Sequence, residues 1–538
     1  MKYKSELIHE ILEQRGHEVP NLHYQSECVE SWIDESKGAY PKLCDYESEW
    51  LNYINENPIG EFPYETVTTN NTATVNHVVP LAYKSAILTG QTLVNLVVNS
   101  SIEKTIGNSS GTEAKYDYIY QLENNKDYTI QFEISNFNAT KPISCSFDSG
   151  WGGIDNITID KNGIYKTKFT ANRESTQVWF FWPTINWEDG NSATVKNIIV
   201  LEGDHTQKDI PYFTSIQSVK MPVLKTTGKN LIQQMTFKTS GDRNISNESI
   251  KVTKGVTYTL SFSSGFIDTA LSLTRNNTSL PPIPTENENV VQNLIGFSNY
   301  SSVSFTAVES GEFYLHFRGN VTETSESLSN SNIQLEESSV ATSYEPYKSN
   351  ILTVNEEVEL RGIGDVRDEL DLLTGEVTER IDEFVLDGSE NWVISDYTRP
   401  NHLRVYMEQK KFEPNKNVIN SRFADIGDVQ NRDVEGVYIT NTIDIQVEHS
   451  RLSEVSLDGF KNWLRENNIK VQAILSQESI KTVDLTVVNQ DGEPLSKIKP
   501  IEGTMHVEAS GTPINPTAVL EVPVEAITQN LNSFIEGD

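Results

Sequence analysis

Asn197–Tyr212 reads NIIVLEGDHTQKDIPY, and Asn332–Tyr347 reads NIQLEESSVATSYEPY. Both segments begin with Asn-Ile, continue through Leu-Glu and end with Pro-Tyr after a similar interval, so the middle of this chain contains one pattern twice. Two copies of one structural unit explain the repetition most economically. The spacing between the copies is far larger than the roughly 20–50 residues of solenoid and propeller repeats. Each copy is therefore expected to be an independent domain, with Leu201 and Leu335 at equivalent positions of its last strand.

Two earlier pairs of segments repeat at a similar spacing. Tyr128–Phe132 (YTIQF) corresponds to Tyr258–Phe262 (YTLSF), and Phe169–Ala171 corresponds to Phe305–Ala307, which also reads FTA. The marks follow the same order in both copies and are separated by similar turn-rich gaps. The two copies are therefore expected to superpose.

The pattern within each copy is typical of β-strands. In Tyr128–Ile134 (YTIQFEI) an apolar side chain occupies every second position, as in a strand with one buried face. Gln177–Trp182 (QVWFFW) is apolar on both faces, so it is either a central strand of a two-sheet sandwich or a strand with an aromatic face left for a ligand. Short strands separated by Gly, Asn, Asp and Ser predict a mainly β fold of tandem antiparallel β-sandwich modules.

Changes in this pattern divide the chain into five regions. Residues 1–58 have the only sustained helical periodicity, and we predict a helical attachment region that docks on the rest of the chain, on symmetry mates or on another protein. Residues 59–115 are predicted to form a connector with strands, 116–213 to form module 1, and 214–347 to form module 2. Residues 348–538 are predicted to form a β-rich C-terminal region, with two small domains as one alternative.

The C-terminal region is predicted to contain one helix among strands. The helix covers Gly459–Asn467 (GFKNWLREN), where Phe460, Trp463 and Leu464 fall on one face. The predicted strands are Glu359–Ile363, Asp371–Ile381 with a turn at Thr374-Gly375, Val437–Val447, Val483–Val488, and a closing strand Thr517–Val524 that stops at Pro523.

Composition limits the classes of partner. The 538 residues carry a formal net charge of −33 and no concentrated run of Lys and Arg, so neither nucleic acid nor an anionic membrane is an expected partner. No run of about 18 apolar residues occurs, and the N-terminus lacks an apolar segment, so neither a transmembrane helix nor a signal peptide is predicted. Cys28, Cys44 and Cys145 show no metal-ligand spacing and are expected to be buried or free thiols.

The sequence lacks the common enzymatic motifs. It has no G-x-S-x-G nucleophile elbow, H-E-x-x-H pair, P-loop or dinucleotide fingerprint, so we predict that the protein is not an enzyme. Carboxylate pairs for glycoside hydrolysis stay open, because 76 Asp and Glu residues supply many pairs whose separation only a structure gives. No cofactor is predicted, although Asp-rich turns at Asp148–Asp155 and Glu188–Asp189 leave a structural calcium ion as a hypothesis.

Four of the eight tryptophans cluster in module 1. Sugar recognition by a β-sandwich uses flat aromatic faces that stack on pyranose rings, with carboxylate and amide groups that bond hydroxyls. The candidate carbohydrate-binding residues are Trp151, Trp187, Trp179, Trp182, Asp155 and Asn186. A core role is the alternative, and it is favoured for the strand residues Trp179 and Trp182. Trp151 and Trp187 lie beside turn residues, so they are the better candidates for a stacking platform.

Four further segments are distinctive. They are Leu335–Tyr347 (LEESSVATSYEPY), Leu360–Ile381 (LRGIGDVRDELDLLTGEVTERI), Ser215–Ile232 (SIQSVKMPVLKTTGKNLI) and Leu81–Leu96 (LAYKSAILTGQTLVNL). Together they resemble tail and baseplate structural proteins of bacteriophages that infect Gram-positive bacteria. The resemblance covers the chain from about Leu81 onward and is most specific over Asn332–Ile381. It implies β-sandwich modules akin to carbohydrate-binding jelly rolls, assembled as a homo-oligomer, with a trimer expected, on a virion.

The function implied by this resemblance is that of a virion structural protein of the tail or baseplate, of fibre or receptor-binding type, with modules for host-surface carbohydrate. The implied partners are other tail or baseplate proteins and host cell-wall polysaccharide or teichoic acid, and the implied location is the virion, after synthesis in the host cytoplasm. The alternative is a bacterial cell-surface or secreted polysaccharide-binding protein, or an accessory module of a glycan hydrolase. The lack of a predicted signal peptide favours the virion protein, because phage particles leave the cell by lysis.

Overall fold

The computed structural model of the protein consists mainly of antiparallel strands, which confirms the predicted mainly β fold. Almost all described residues belong to one compact unit, Glu65–Val522. The helical region predicted for residues 1–58 lies outside the described residues. The structure describes residues 64–524 apart from gaps at 108–112, 148–151, 154–156, 173–174, 183–189, 207, 209, 240–242, 278–288, 320–327, 330, 398 and 424–433.

Two large sheets, which we refer to as the platform, combine segments that are far apart in the chain. The first sheet has the order β1 (Tyr64–Thr69), β35 (Thr517–Pro523), β3 (Ser85–Thr89), β24 (Glu369–Asp371), β25 (Glu376–Leu386), β31 (Ile469–Thr482) and β28 (Val418–Asn420). The second has the order β2 (Thr72–Val78), β34 (Gly503–Thr512), β13 (Ile216–Gly228), β20 (Ser349–Val354), β32 (Leu485–Asn489) and β33 (Pro494–Leu495), with β4 (Thr92–Val94) and β21 (Glu359–Leu360) also paired to β13.

A buried polar contact links the two platform sheets. Gln472 on β31 accepts a hydrogen bond from the Thr92 hydroxyl (2.8 Å) and donates one to the Ser218 hydroxyl on β13 (2.9 Å). Gln472 is fully buried, and a buried amide is tolerated only where its hydrogen bonds are made. Strands from before module 1, from between the modules and from after module 2 are therefore joined in one structure.

Module 1 is a sandwich of two four-stranded sheets. The first has the order β10 (Gly163–Thr170), β7 (Asp127–Asn138), β12 (Ser192–Glu202) and β5 (Lys104–Gly107), and the second has the order β6 (Ala114–Leu122), β11 (Ser175–Phe181), β8 (Ser144–Phe147) and β9 (Gly152–Gly153). Phe132 of the first sheet meets Phe180 of the second, with ring centroids 4.7 Å apart. Both rings are fully buried, which confirms the alternation predicted for Tyr128–Ile134. Leu96, in the predicted connector, also lies in this core.

Module 2 is one curled sheet rather than two separate ones. Its strands follow the order β14 (Phe237–Thr239), β15 (Arg243–Val252), β18 (Gly311–Gly319), β16 (Thr257–Thr274) and β17 (Val290–Thr306), with β19 (Ile333–Glu336) also paired to β16. The first half of β16 pairs with β19 and the second half pairs with β18. The long strand β16 therefore changes its partner on one side from β19 to β18, while β17 pairs with it along its other side.

A tyrosine makes the same contacts in both modules. Tyr128 packs on Phe169 with ring centroids 5.7 Å apart, and Tyr258 packs on Phe305 at 5.8 Å. In each case the phenolic oxygen accepts a hydrogen bond from the backbone N–H five residues upstream, at 3.1 Å in module 1 and 3.0 Å in module 2. The predicted correspondence of these sequence marks is confirmed by the strand register, which pairs Tyr with Phe in both modules.

A buried asparagine makes the same four hydrogen bonds in each module, and we refer to this arrangement as the Asn clamp. Asn95 Nδ2 donates to the carbonyl oxygens of Ile198 and Phe213, and its Oδ1 accepts from the N–H groups of Val97 and Val200. Asn230 Nδ2 donates to Ile333 and Glu345, and its Oδ1 accepts from Ile232 and Leu335. Sequence reasoning missed this repeat, although Asn-Leu followed by Val or Ile occurs at both sites.

The expected equivalence of Leu201 and Leu335 is wrong by one position. In module 2, Leu335 lies opposite Leu260 and donates its backbone N–H to Asn230. In module 1 the equivalent contacts are made by Val200, which lies opposite Ile130 and donates its N–H to Asn95. From Ile199 onward β12 pairs with β7 in the same register in which β19 pairs with β16, so Leu201 corresponds to Glu336. Matching Leu-Glu with Leu-Glu therefore aligned side chains on opposite faces, and Leu201 instead packs with Ile210 and Phe213 behind the sheet.

The C-terminal region contains the predicted helix, α1 (Leu457–Glu466), and a short 3-10 helix, His449–Arg451. The Ser456 hydroxyl caps α1 by accepting the Gly459 N–H at 3.0 Å, and Phe460, Trp463 and Leu464 are buried as predicted. The helix shares a core with the sheet β26 (Val393–Ile394), β27 (His402–Glu408), β30 (Thr442–Glu448) and β29 (Gly436–Ile439). A small hairpin is formed by β22 (Gly362–Ile363) and β23 (Val366–Arg367).

Candidate functional site

Trp179 lies on the outer face of the second sheet of module 1. Its neighbours in β11, Val178 and Phe180, are fully buried in the core, and adjacent side chains of a strand point to opposite faces. Trp179 itself is half-buried and is not part of that core. The second of the two interpretations of this aromatic strand, a face left for a ligand, is therefore compatible with its position in the middle of the sheet.

Polar side chains surround the indole of Trp179. Its Nε1 donates a hydrogen bond to Gln177 Oε1 at 2.9 Å, and Gln177 Nε2 donates to Asp117 Oδ1 at 2.6 Å. Lys115, opposite Trp179 on β6, places its Nζ 3.7 Å from the centroid of the indole ring. Lys115 is also 2.9 Å from a Glu113 carboxylate oxygen. The hydrogen bonds fix the plane of the indole, and the ammonium group covers part of one ring face.

A free hydroxyl lies beside this aromatic residue. Ser146 is directly opposite Trp179 on the other neighbouring strand, β8. It is buried, and its Oγ has no hydrogen-bond partner among the described residues. Buried hydroxyls normally have a partner, but this one is covered and is not part of the accessible surface. The exposed groups around Trp179 thus combine an aromatic face with amide, carboxylate and ammonium groups, which is the chemistry needed to bind a sugar.

Trp182 has a structural role. It is buried in the core of module 1, where its ring centroid lies 6.1 Å from that of Phe137. Its Nε1 donates a hydrogen bond to the Lys141 carbonyl oxygen at 3.1 Å. Trp182 is therefore a core residue, as the alternative to sugar binding predicts. Trp179, three residues earlier, lies on the opposite face of the strand.

The remaining sequence candidates lie outside the described residues. These are Trp151, Asp155, Asn186 and Trp187, and most of the two turns considered for calcium is also outside. In the part of the chain that the structure describes, no group of three or more His, Cys, Asp or Glu side chains is arranged to hold a metal ion. No helix of that part is long and apolar enough to cross a membrane.

Module 2 does not reproduce the Trp179 surface. It contains no tryptophan, and the aromatic residues of the corresponding region, Tyr300, Phe313 and Phe317, are buried in its core. Only Tyr314 of this group is half-buried. The duplicated fold therefore carries different surfaces in its two copies.

Sequence reasoning did not identify Lys115, Asp117 and Ser146 as neighbours of Trp179. The alternation in Ala114–Leu122 (AKYDYIYQL) shows that Lys115 and Asp117 share a face. The pairing of β6 and β8 with β11, however, is a contact between distant segments that local pattern does not reveal.

Comparisons with known proteins provide no family for this chain. No protein family model and no curated protein matches it. Among solved structures, it is weakly similar to arabinofuranosyltransferase AftD from Mycobacteria, with 8% sequence identity, a TM-score of 0.17, and coverage of 86% of this chain and 36% of that one. A mutant of the same enzyme gives 8% identity, a TM-score of 0.14, and coverage of 86% and 37%. The chain spans about a third of the length of these structures, and the TM-scores are too low to indicate a shared fold.

Proposed function

We propose that this chain is a structural protein of a bacteriophage tail or baseplate, and that module 1 contacts host-surface glycan through the surface around Trp179. The observation that carries the glycan proposal is the outward position of Trp179 between Lys115, Gln177 and Ser146. The virion proposal rests on the resemblance of Ser215–Ile232 and Asn332–Ile381 to phage structural proteins. Both of these segments contribute platform strands.

The chemistry of the surface favours a sugar over a purely apolar ligand. One indole face provides apolar contact for the C–H groups of a pyranose ring, and neighbouring amide and carboxylate groups can bond its hydroxyls. The net charge of −33 disfavours a highly anionic partner, although Lys115 supplies one local positive charge. Cell-wall polysaccharide is thus the preferred ligand, and teichoic acid is the second choice.

The proposed assembly follows the same resemblance. Other tail or baseplate proteins are the proposed binding partners, the virion is the proposed location, and a homo-oligomer, expected to be a trimer, is the proposed state. Antibody labelling of phage particles, imaged by electron microscopy, should detect the chain on the tail or baseplate. Detection only in the wall fraction of uninfected bacteria would instead support a bacterial polysaccharide-binding protein.

Substitution of Trp179 tests the glycan proposal. Trp179→Ala should weaken binding to purified host wall polysaccharide by more than tenfold, because loss of an indole from a binding site typically costs about 2 kcal/mol or more. The melting temperature should change by only a few degrees, since Trp179 is outside the core. Ile164→Ala is the matched control, because Ile164 is 72% exposed on the other sheet of the same module. Unchanged binding by the Trp179 variant would contradict the proposal.

Lys115→Ala separates the two glycan classes. If the ligand is a neutral polysaccharide, removal of the ammonium group uncovers the indole and binding should be retained or strengthened. If the ligand is teichoic acid, the lysine contacts its phosphate groups, so binding should weaken and lose salt dependence.

A further inference from the structure

A cleft lies between module 1 and the edge of the seven-stranded platform sheet. Its volume is about 500 Å³, within the range of roughly 300–1,000 Å³ that is typical of small-molecule sites. Module 1 contributes one wall through the turn before β7 and the end of β12, and the edge strand β28 contributes the other. Among the described residues, the side chains that matter for binding are Leu93, Leu201, Phe423, Lys126, Glu202 and Asn420.

The module 1 wall carries a charge cluster that is acidic overall. Lys126 Nζ lies 3.1 Å from Glu123 Oε1 and 3.0 Å from Glu202 Oε1, and all three residues line the cleft. Because two carboxylates face one ammonium group, a phosphate or carboxylate ligand would meet net repulsion here. Hydroxyl groups, by contrast, can donate to the carboxylates and accept from the ammonium.

The opposite wall contains a buried asparagine side chain whose amide donor is unused. Asn420 is only 3% exposed, and its Oδ1 accepts hydrogen bonds from the backbone N–H groups of Arg422 (3.0 Å) and Phe423 (2.6 Å). Its Nδ2 has no hydrogen-bond partner within the described part of the chain. An unpartnered buried donor is unfavourable. A ligand oxygen bound in the cleft would satisfy it.

Apolar side chains complete the lining between these two polar walls. Leu93 and Leu201 belong to one small hydrophobic cluster that borders the cleft, and Phe423 lies at the β28 side. A sugar matches this combination, because its C–H faces pack on apolar groups while its hydroxyls bond to charged and amide groups. We propose that this cleft is a second glycan site, which binds one or two neutral sugar units. Trp179 is not among the described lining residues, so the two sites are separate.

Saturation-transfer NMR on the full chain can measure sugar binding to the cleft. Trp179→Ala protein is used throughout, so that binding at the Trp179 surface does not contribute to the signal. The probes are glucose, N-acetylglucosamine and maltose, and at least one should receive saturation. Lys126→Met and Asn420→Asp should each weaken that binding roughly tenfold, because each removes a donor in the cleft and leaves the side-chain shape similar. Lys168→Met is the matched control, since Lys168 is also ion-paired on module 1, to Asp127 at 2.9 Å, and does not line the cleft.

Three outcomes would overturn the proposal. They are a lack of saturation for all three probes, equal weakening by Lys168→Met, and displacement of the sugar by inorganic phosphate or free lysine at similar concentrations. If Asn420→Asp does not fold, the comparison of Lys126→Met with Lys168→Met decides the question. Failure of Trp179→Ala to weaken wall binding would contradict the proposed function but would leave this test unaffected.

Discussion

Removal of the Asn95 side chain should destabilise module 1 and leave module 2 unchanged. Asn95 is fully buried and makes four hydrogen bonds to backbone groups, with distances of 3.0, 3.0, 3.1 and 3.2 Å. Asn95→Ala leaves two N–H groups and two carbonyl groups of module 1 without these partners. Each unsatisfied buried group costs about 1–3 kcal/mol, but the four costs overlap because one local rearrangement relieves several of them. We therefore expect a loss of about 3–5 kcal/mol in the opening free energy of module 1, a large share of the roughly 5–15 kcal/mol of a typical domain.

Hydrogen exchange with mass spectrometry measures this loss module by module. In Asn95→Ala protein, peptides from Ser192–Glu202 should lose roughly 100- to 4,000-fold of their protection, because each tenfold change corresponds to about 1.4 kcal/mol. Peptides from Ile333–Glu336 should be unchanged. Asn230→Ala should produce the reverse pattern, because Asn230 makes the same four bonds in module 2.

An exposed asparagine provides the control for this experiment. Asn138 lies at the end of β7 in module 1 and donates a long hydrogen bond of 3.4 Å to Gly190. Asn138→Ala should change the opening free energy by no more than about 0.5 kcal/mol. The reasoning is refuted if Asn95→Ala costs less than about 1 kcal/mol, or if it loosens both modules equally.

Three further predictions concern the platform and the core. Burial raises the pKa of the Asp368 carboxyl group to about 6, so the folded state binds this proton more tightly than the unfolded state does. The free energy of unfolding should therefore decrease as pH rises from about 4 to 6. In denaturant titrations across this pH range, Asp368→Asn should remove that decrease. Burial also raises the pKa of the Cys145 thiol, so peptide mapping after iodoacetamide treatment should find Cys145 labelled only in unfolded protein. Gly375→Ala should lower the melting temperature more than Gly492→Ala. Both glycines have a positive φ, but only at Gly375 would an added Cβ clash, since it would lie 2.4 Å from the Val483 carbonyl oxygen.

Local pattern predicted the elements whose structure depends on near neighbours. Alternation in Tyr128–Ile134 identified a strand and its buried face, and three- and four-residue spacing identified the helix at Gly459–Asn467. The turn at Thr374-Gly375 was predicted from its residue types, and in the structure Gly375 adopts a positive φ of 76° between β24 and β25. These features depend on neighbouring residues of the chain, so a single sequence contains the information.

Pairing between distant segments could not be predicted in the same way. β3 pairs with β35, with Ser85 opposite Glu521. The local sequence of either strand does not indicate which other strand will pair with it. The orientation of Trp179 was ambiguous for a related reason, because both faces of Gln177–Trp182 are apolar and only the core around Val178 shows which face is inward. The alignment of Leu201 with Leu335 failed because module 1 has one residue more between Asn-Ile and Leu-Glu than module 2, and only the strand pairing shows which positions correspond.

The Asn clamps also explain how two large modules are inserted into one platform. Module 1 follows β4 and precedes β13, which pair with each other, and module 2 follows β13 and precedes β20, which also pair. The ends of each module therefore leave from neighbouring strands, and Asn95 and Asn230 bond the first segment of their module to its last, at Phe213 (3.0 Å) and Glu345 (3.1 Å). Because the sheet already holds the two ends together, the loop-closure entropy that each insertion adds is small. A duplicated module with its own clamp can then occupy a second pair of adjacent strands without altering the platform, and its surface is free to differ from that of the first copy, as the tryptophan-free module 2 does.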